Sequence, residues 1–295
     1  MPRARVGDIE LAYELLGPED GTPLVAVMGF AAQLIAWPEG LLEQLTARGF
    51  RVLVFDNRDV GESTWLRGAK APSPRRAIAR WLARLPVPAP YTLTDMAADA
   101  VGLMDHVGWR DAHVFGVSMG GMIAQQMALD APARVRTLTS MMSHTGHRLD
   151  AIGRPGATLK LLGPRPRNAD EAAVVFRQLF EVLTGPAYDP DGPGLEAMGR
   201  LSFERGHNPA GVARQMAAIL ASPERTRALR QVSAPTLVIH GEADPLVRPA
   251  GGRRTAKAIP GARLEIIPGL GHSLPPGVWP RLVDLIAEHA GVGRE

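Results

Sequence analysis

Ala112-His113-Val114-Phe115-Gly116-Val117-Ser118-Met119-Gly120 runs from a short apolar, β-prone segment into a serine with a glycine two residues away on each side. Residues 122–129, Met-Ile-Ala-Gln-Gln-Met-Ala-Leu, follow with helical spacing and strong helix formers. The serine therefore falls on a strand-to-helix turn. A turn this sharp holds its central residue in a strained conformation with the hydroxyl exposed, and side chains two residues away on either side would collide. Glycine at 116 and 120 removes that collision. The competing reading is a serine in a glycine-rich packing turn, and the rest of the chain decides between the two by supplying, or failing to supply, a base and an acid.

Outward from this turn the chain alternates between strands and helices. Residues 6–16 read as an edge strand or hairpin, and 23–28 and 51–56 as buried parallel strands separated by a helix over 34–48. Thr94 is placed to cap a helix through Met96, Val101, Leu103 and Met104 that ends near Gly108. Beyond the serine, 136–142, 235–240 and 263–267 read as strands, with a helix between the last two and a final helix over 280–290. Repeated βα units predict a mostly parallel, eight-stranded sheet covered by helices on both faces. Two segments break the rhythm. Residues 66–90 are proline-rich and hold a basic amphipathic stretch expected to pack Ile78, Trp81, Leu82 and Leu85 on the body. Residues 145–230 lack strand signals and show helical patterns around 170–184 and 209–221, too long a stretch for a structureless loop. The expected division is an α/β core from 1–143 and 231–295, with a helical cap or lid, 144–230, inserted after the sixth strand.

Composition narrows the function classes. The 295 residues are 45% hydrophobic and 21% charged, ordinary for a globular enzyme. Acidic residues (30) nearly balance basic ones (33) and are interspersed with them, which argues against a nucleic-acid partner. The basic residues are almost all arginine, with lysine only at 70, 160 and 257. Absence of cysteine excludes disulfides, thiolate metal sites and cysteine nucleophiles. No apolar stretch reaches the roughly 18 residues needed to span a bilayer, so no stable membrane insertion is expected. A soluble, cytoplasmic, unprocessed chain is the expectation, with a homo-oligomer left open.

A serine hydroxyl is a poor nucleophile until a base accepts its proton. His272 lies in the glycine-rich Pro268-Gly269-Leu270-Gly271-His272-Ser273 after the last strand, at the carboxyl edge where open α/β sheets build their sites. Asp244, which follows the preceding strand, is expected to orient that histidine, with Glu242 as the competitor. The Met119 N–H, at a helix N-terminus, and the Phe30 N–H, in the loop after residues 23–28, are the candidate oxyanion donors. Phe30, Met119, His144 and Leu246 are the candidate substrate contacts. His144 and His147 form an H-x-x-H, but no third ligand accompanies them, which favours a cap-hinge or pocket wall over zinc. No metal and no organic cofactor are expected.

Met28-Gly29-Phe30, Trp37-Pro38, Asp56-Asn57-Arg58-Asp59-Val60-Gly61-Glu62-Ser63, Gly116-Val117-Ser118-Met119-Gly120, Asp244-Pro245 and Gly269-Leu270-Gly271-His272 together resemble the α/β-hydrolase superfamily. The resemblance covers nearly the whole chain. Within the superfamily it is similar to the aclacinomycin methylesterase type, where methionine replaces the histidine of the more common His-Gly. The order Ser118, Asp244, His272 is the nucleophile, acid, base order of that fold. The resemblance implies a serine hydrolase that cleaves a small-molecule carboxylic ester through an acyl-enzyme. A lactonase, thioesterase, C–C hydrolase or perhydrolase could use the same triad, and the fold also serves slow-hydrolysing ligand receptors.

Overall fold

The computed structural model describes residues 1–163 and 165–293. The hairpin of β1 (Arg3–Val6) and β2 (Ile9–Leu16) opens the chain, followed by β3 (Thr22–Val27), α1 (Glu39–Ala47), β4 (Phe50–Phe55), α2 (Pro74–Leu82), α3 (Leu93–His106), β5 (Ala112–Val117), α4 (Met119–Asp130) and β6 (Val135–Met141). Four helices then intervene: α5 (Pro155–Leu161), α6 (Ala169–Leu183), α7 (Gly192–Gly206) and α8 (Pro209–Ala221). The chain re-enters the sheet with β7 (Thr236–Gly241), α9 (Pro249–Ala258), β8 (Arg263–Ile267) and α10 (Trp279–Ala290).

All eight strands join one sheet in the order β1-β2-β4-β3-β5-β6-β7-β8, antiparallel at β1/β2 and β2/β4 and parallel elsewhere. Successive side chains of a strand leave on opposite faces, so a strand buried on both sides must be apolar throughout. β3 shows the consequence. Val25 and Val27 join the core beneath α3 and α4, while Leu24 and Ala26 join the core beneath α1 and α10. β5 divides in the same way, with Ala112 and Val114 on the first face and Phe115 and Val117 on the second. Fully buried Phe50, Phe55 and Phe115 each contribute on the order of 2 kcal/mol of apolar burial.

Several local expectations are corrected. The helix expected over 34–48 is divided into a 3-10 turn, Leu34–Ala36, and α1, because Pro38 lacks an N–H and takes the N-cap position. Thr92, not Thr94, caps α3, and the Asp95 carboxylate accepts from both the Thr92 N–H (2.7 Å) and its hydroxyl (2.9 Å). On α2 Ala77 is buried in a cluster with Val87 and with Ala217 of α8, and Trp81 packs against that cluster as expected, whereas Leu82 and, beyond the helix, Leu85 are exposed. Helices α5 and α7 carry no pattern that stood out in the sequence. The four glycines of α7 lower its intrinsic propensity, yet Gly199 lets α7 close on α6, since a Cβ there would lie 2.7 Å from the Ala172 carbonyl oxygen.

Candidate active site

β5 ends at Val117 and α4 begins at Met119, which leaves Ser118 alone in the turn. Its φ of 58° and ψ of −119° lie where a side chain is sterically costly. Two absent Cβ atoms make the turn passable: one on Gly120 would lie 1.9 Å from the Val27 carbonyl oxygen, and one on Gly116 would lie 2.2 Å from that of Gly120. Hydrogen bonds hold the strained residue, its N–H donating to the Met141 carbonyl (2.9 Å) and its carbonyl accepting from the Gly121 and Met122 N–H groups (3.0 and 3.2 Å).

Across the sheet edge, His272 Nε2 stands 3.0 Å from Ser118 Oγ, and His272 Nδ1 stands 2.7 Å from Asp244 Oδ2. A carboxylate only accepts, so Nδ1 carries the ring proton and the serine hydroxyl donates to Nε2. The other carboxylate oxygen, Oδ1, accepts from the Leu246 and Val247 N–H groups, each at 2.8 Å. Burial by itself would raise the Asp244 carboxyl, but the facing His272 and His240 outweigh it and hold the group well below the usual carboxylate range. Glu242, the competitor, is exposed and accepts from the Gly269 N–H at 3.3 Å. The histidine loop is anchored to the end of α6, with His272 N–H donating to the Leu183 carbonyl and Gly271 N–H to that of Thr184 (2.8 Å).

His240, fully buried at the end of β7, was not singled out in the sequence. Its Nε2 lies 2.8 Å from the Val247 carbonyl oxygen and 3.4 Å from Asp244 Oδ2, so it braces the turn that carries the aspartate. The available signal was its position four residues before Asp244.

The loop after β3 runs against the serine, where a Cβ on Gly29 would stand 3.2 Å from Ser118 Cβ. Phe30 follows it, half-buried. Among the described residues neither the Phe30 N–H nor the Met119 N–H meets a protein acceptor. Ser118 and His272 open into a cavity of about 940 Å³, whose wall near them includes Phe30, Met119, His144 and Leu246. Helices α6, α7 and α8 close it with apolar side chains such as Phe176, Phe180, Met198 and Met216. Helix α2 adds Ile78, Trp81 and Leu82, side chains the sequence reading had assigned to packing on the body.

Two ion pairs fix α7 and α8 to the loop after β4. Arg205 of α7 reaches Asp56 at 2.6 Å, and Arg214 of α8 forks onto both Asp59 oxygens at 2.6 and 2.8 Å, with the side chains of all four nearly or fully buried. Tyr91 also donates to Asp59 (2.9 Å). Desolvation raises the Asp56 carboxyl above its ordinary range, against the pull of the Leu34 N–H and Arg205. Among the described residues no group of three or more histidine and carboxylate side chains could hold a metal ion, and no helix is long and apolar enough to cross a membrane.

A family model described as the alpha/beta hydrolase fold matches residues 22–275, a span that contains Ser118, Asp244 and His272. Rhodomycin D methylesterase DnrP of Streptomyces peucetius is 30% identical over 96% of this chain and 95% of its own length. Rhodomycin D methylesterase DauP of Streptomyces sp. strain C5 is 28% identical over the same shares. A thermophilic esterase from Thermogutta terrifontis superposes with a TM-score of 0.70 at 26% identity, covering 98% of this chain and 97% of that one. The methylesterase-type resemblance carried by the sequence motifs agrees with these relatives. A mostly parallel eight-stranded sheet, a serine alone on its strand-to-helix turn and a family match over most of the chain lead to one conclusion: the protein belongs to the alpha/beta hydrolase family.

Proposed function

We propose that this chain is a serine hydrolase that cleaves carboxylic esters of apolar, medium-sized to large molecules through an acyl-enzyme. The observation that carries the reading is the continuous Ser118–His272–Asp244 hydrogen-bond chain, 3.0 and 2.7 Å, opening into the apolar cavity. Methylesterase relatives over nearly the full length support an ester as the substrate and a methyl ester as the first to try.

In the proposed mechanism Ser118 Oγ attacks the ester carbonyl carbon as His272 Nε2 takes its proton. Asp244 stabilises the resulting imidazolium and keeps the ring in the required tautomer. The N–H groups of Met119 and Phe30, without a protein acceptor among the described residues, donate to the oxyanion, each typically worth roughly 100-fold or more in turnover. Collapse of the tetrahedral intermediate expels the alcohol, which receives the proton held on Nε2. Water, deprotonated by the same nitrogen, then attacks the acyl-serine and releases the acid. Residues 144–230 act as a cap that shapes the acyl and alcohol pockets.

The test compares wild type with Ser118→Ala on methyl and p-nitrophenyl esters of graded acyl length, alongside fluorophosphonate labelling. Labelling confined to Ser118 and a loss of at least about 1000-fold in kcat are expected. Unlabelled protein, or equal turnover by the variant, would overturn the assignment.

A further inference from the structure

His144 lies just beyond β6, where the chain leaves the sheet for the four inserted helices, and only 5% of its surface is accessible. The segment meets the returning chain directly, since Arg225 donates its N–H to the Thr145 carbonyl (2.7 Å) and the Thr145 and Thr226 hydroxyls lie 2.6 Å apart. Within this junction the His144 ring is fixed in one state. The Gly146 N–H donates to Nδ1 at 2.9 Å, so Nδ1 carries no proton and the ring's single proton sits on Nε2. That Nε2–H has no protein partner among the described residues, and it is not sealed inside the protein. His144 lines the cavity that also holds Ser118 and His272. A nine-tenths buried residue with a free donor thus stands in the wall of that cavity.

The surroundings keep it neutral. Arg225, itself buried, places its guanidinium against the His144 carbonyl (3.1 Å) and Gln125 Oε1 (3.3 Å), both neutral oxygens. Besides Arg225, the groups facing the ring are His240 at the end of β7, His272 on the base loop and His147 on its own segment, all able to carry positive charge. The nearby Asp150 is engaged by Arg254 and lies 3.7 Å from His147. Burial first, then Arg225, brings the His144 pKa down to about 3.

We propose that His144 is a specificity-determining hydrogen-bond donor, whose Nε2–H receives an acceptor oxygen of the substrate outside the scissile ester. The favoured substrates are esters carrying a keto, ether or hydroxyl oxygen on the acyl or alcohol portion. Purely hydrocarbon esters leave the donor desolvated and unpaired. A buried donor left without its acceptor lowers kcat/KM by roughly 10- to 100-fold. The inference rests on the esterase reading for its kinetic form.

The experiment has two arms. Methyl dodecanoate is compared with its 3-oxo, 5-oxo, 7-oxo and 9-oxo analogues on wild type, His144→Phe and His144→Gln. Wild type is expected to prefer at least one oxo ester by roughly 10- to 100-fold in kcat/KM, His144→Phe to lose the preference, and His144→Gln, which retains an N–H donor, to regain part of it. The ratio is internal to each protein, so a general loss of folding or activity does not imitate it. A wild type indifferent to every oxo group, or a preference that survives in His144→Phe, would overturn the proposal. In the second arm, nitrogen-15 NMR of histidine-labelled Ser118→Ala is expected to show His144 as the neutral Nε2–H tautomer from pH 5 to pH 8, with its Nε2 signal moving when the favoured oxo ester binds. An Nδ1–H tautomer or an imidazolium in that range contradicts the proposal. If wild type hydrolyses none of the esters, the esterase reading fails by itself. The same oxo-to-parent ratio, measured as binding affinity to Ser118→Ala, then decides the role of His144.

Discussion

Ser118 combines exposure of its hydroxyl with a backbone conformation that a Cβ opposes, and the cost is borne by the surrounding hydrogen bonds rather than relieved. Such strain amounts to about 1–3 kcal/mol for a residue other than glycine. Ser118→Ala and Ser118→Gly both lose the hydroxyl, but only the glycine variant loses the Cβ. After the extra unfolded-state freedom of glycine is subtracted, Ser118→Gly should be more stable than Ser118→Ala by roughly 1 kcal/mol. Urea melts of the two variants measure this, and an alanine variant at least as stable would mean the turn is relaxed. Alanine at Gly120 is expected to behave in the opposite way. Its Cβ would meet backbone at 1.9 Å, so Gly120→Ala should fold poorly or displace Ser118 and lose activity, as read by circular dichroism and ester turnover. These residues were legible in sequence because the constraint is local: serine, its two glycines, a strand before and a helix after. Arg225 was not, because its partners, Gln125 and the His144 carbonyl, are brought to it only by the fold, whereas His240 has its partners within seven residues and was hidden by reading as one more residue of a buried strand.

At the scale of elements, the inserted helices are tied to the core unevenly. α7 and α8 are pinned through Arg205–Asp56 and Arg214–Asp59, while α6 is joined to the His272 loop by backbone hydrogen bonds at its C-terminal end. Removing one member of a buried ion pair leaves the other charged and desolvated, which costs roughly 3–5 kcal/mol. Arg214→Met is therefore expected to destabilise the protein by about that amount, and adding Asp59→Asn should recover part of the loss. A double-mutant cycle by chemical denaturation checks this, and strict additivity would show that the pair contributes nothing specific. Asp56 and Asp59 stood out in sequence only as members of a turn-rich motif. Their partners lie about 150 residues further on, on helices whose glycines and weak periodicity concealed α7 altogether. The proline-rich segment shows a related limit: amphipathic spacing located helix α2 and the packing of Trp81 on the body, without indicating that Trp81 and Leu82 also border a cavity.

Across the whole molecule, buried histidines couple stability to acidity. Desolvation lowers His113 to about 4 and His144 to about 3, and it also leads the lowering of His207 and His289. The unfolded chain takes up these protons near a pH of about 6.5, whereas the folded state does not, so stability rises with pH across that window and is lost on acidification. Asp244, held low, adds to the loss below the ordinary carboxylate range, while Asp56 and Asp99, raised by burial, oppose it. The melting temperature is accordingly expected to fall between pH 7.5 and pH 5, and a flat or rising value by calorimetry would contradict the assignment. The amino-acid sequence by itself determined the alternation of strands and helices, the mostly parallel sheet and the edge along which Ser118, Asp244 and His272 stand, because periodicity, glycine placement and chain order act over short distances. Tertiary structure alone decided which atoms meet, which helices enclose the 940 Å³ cavity and which buried charges tie them down. Those outcomes depend on packing between segments tens to more than a hundred residues apart, where no local pattern records the partner.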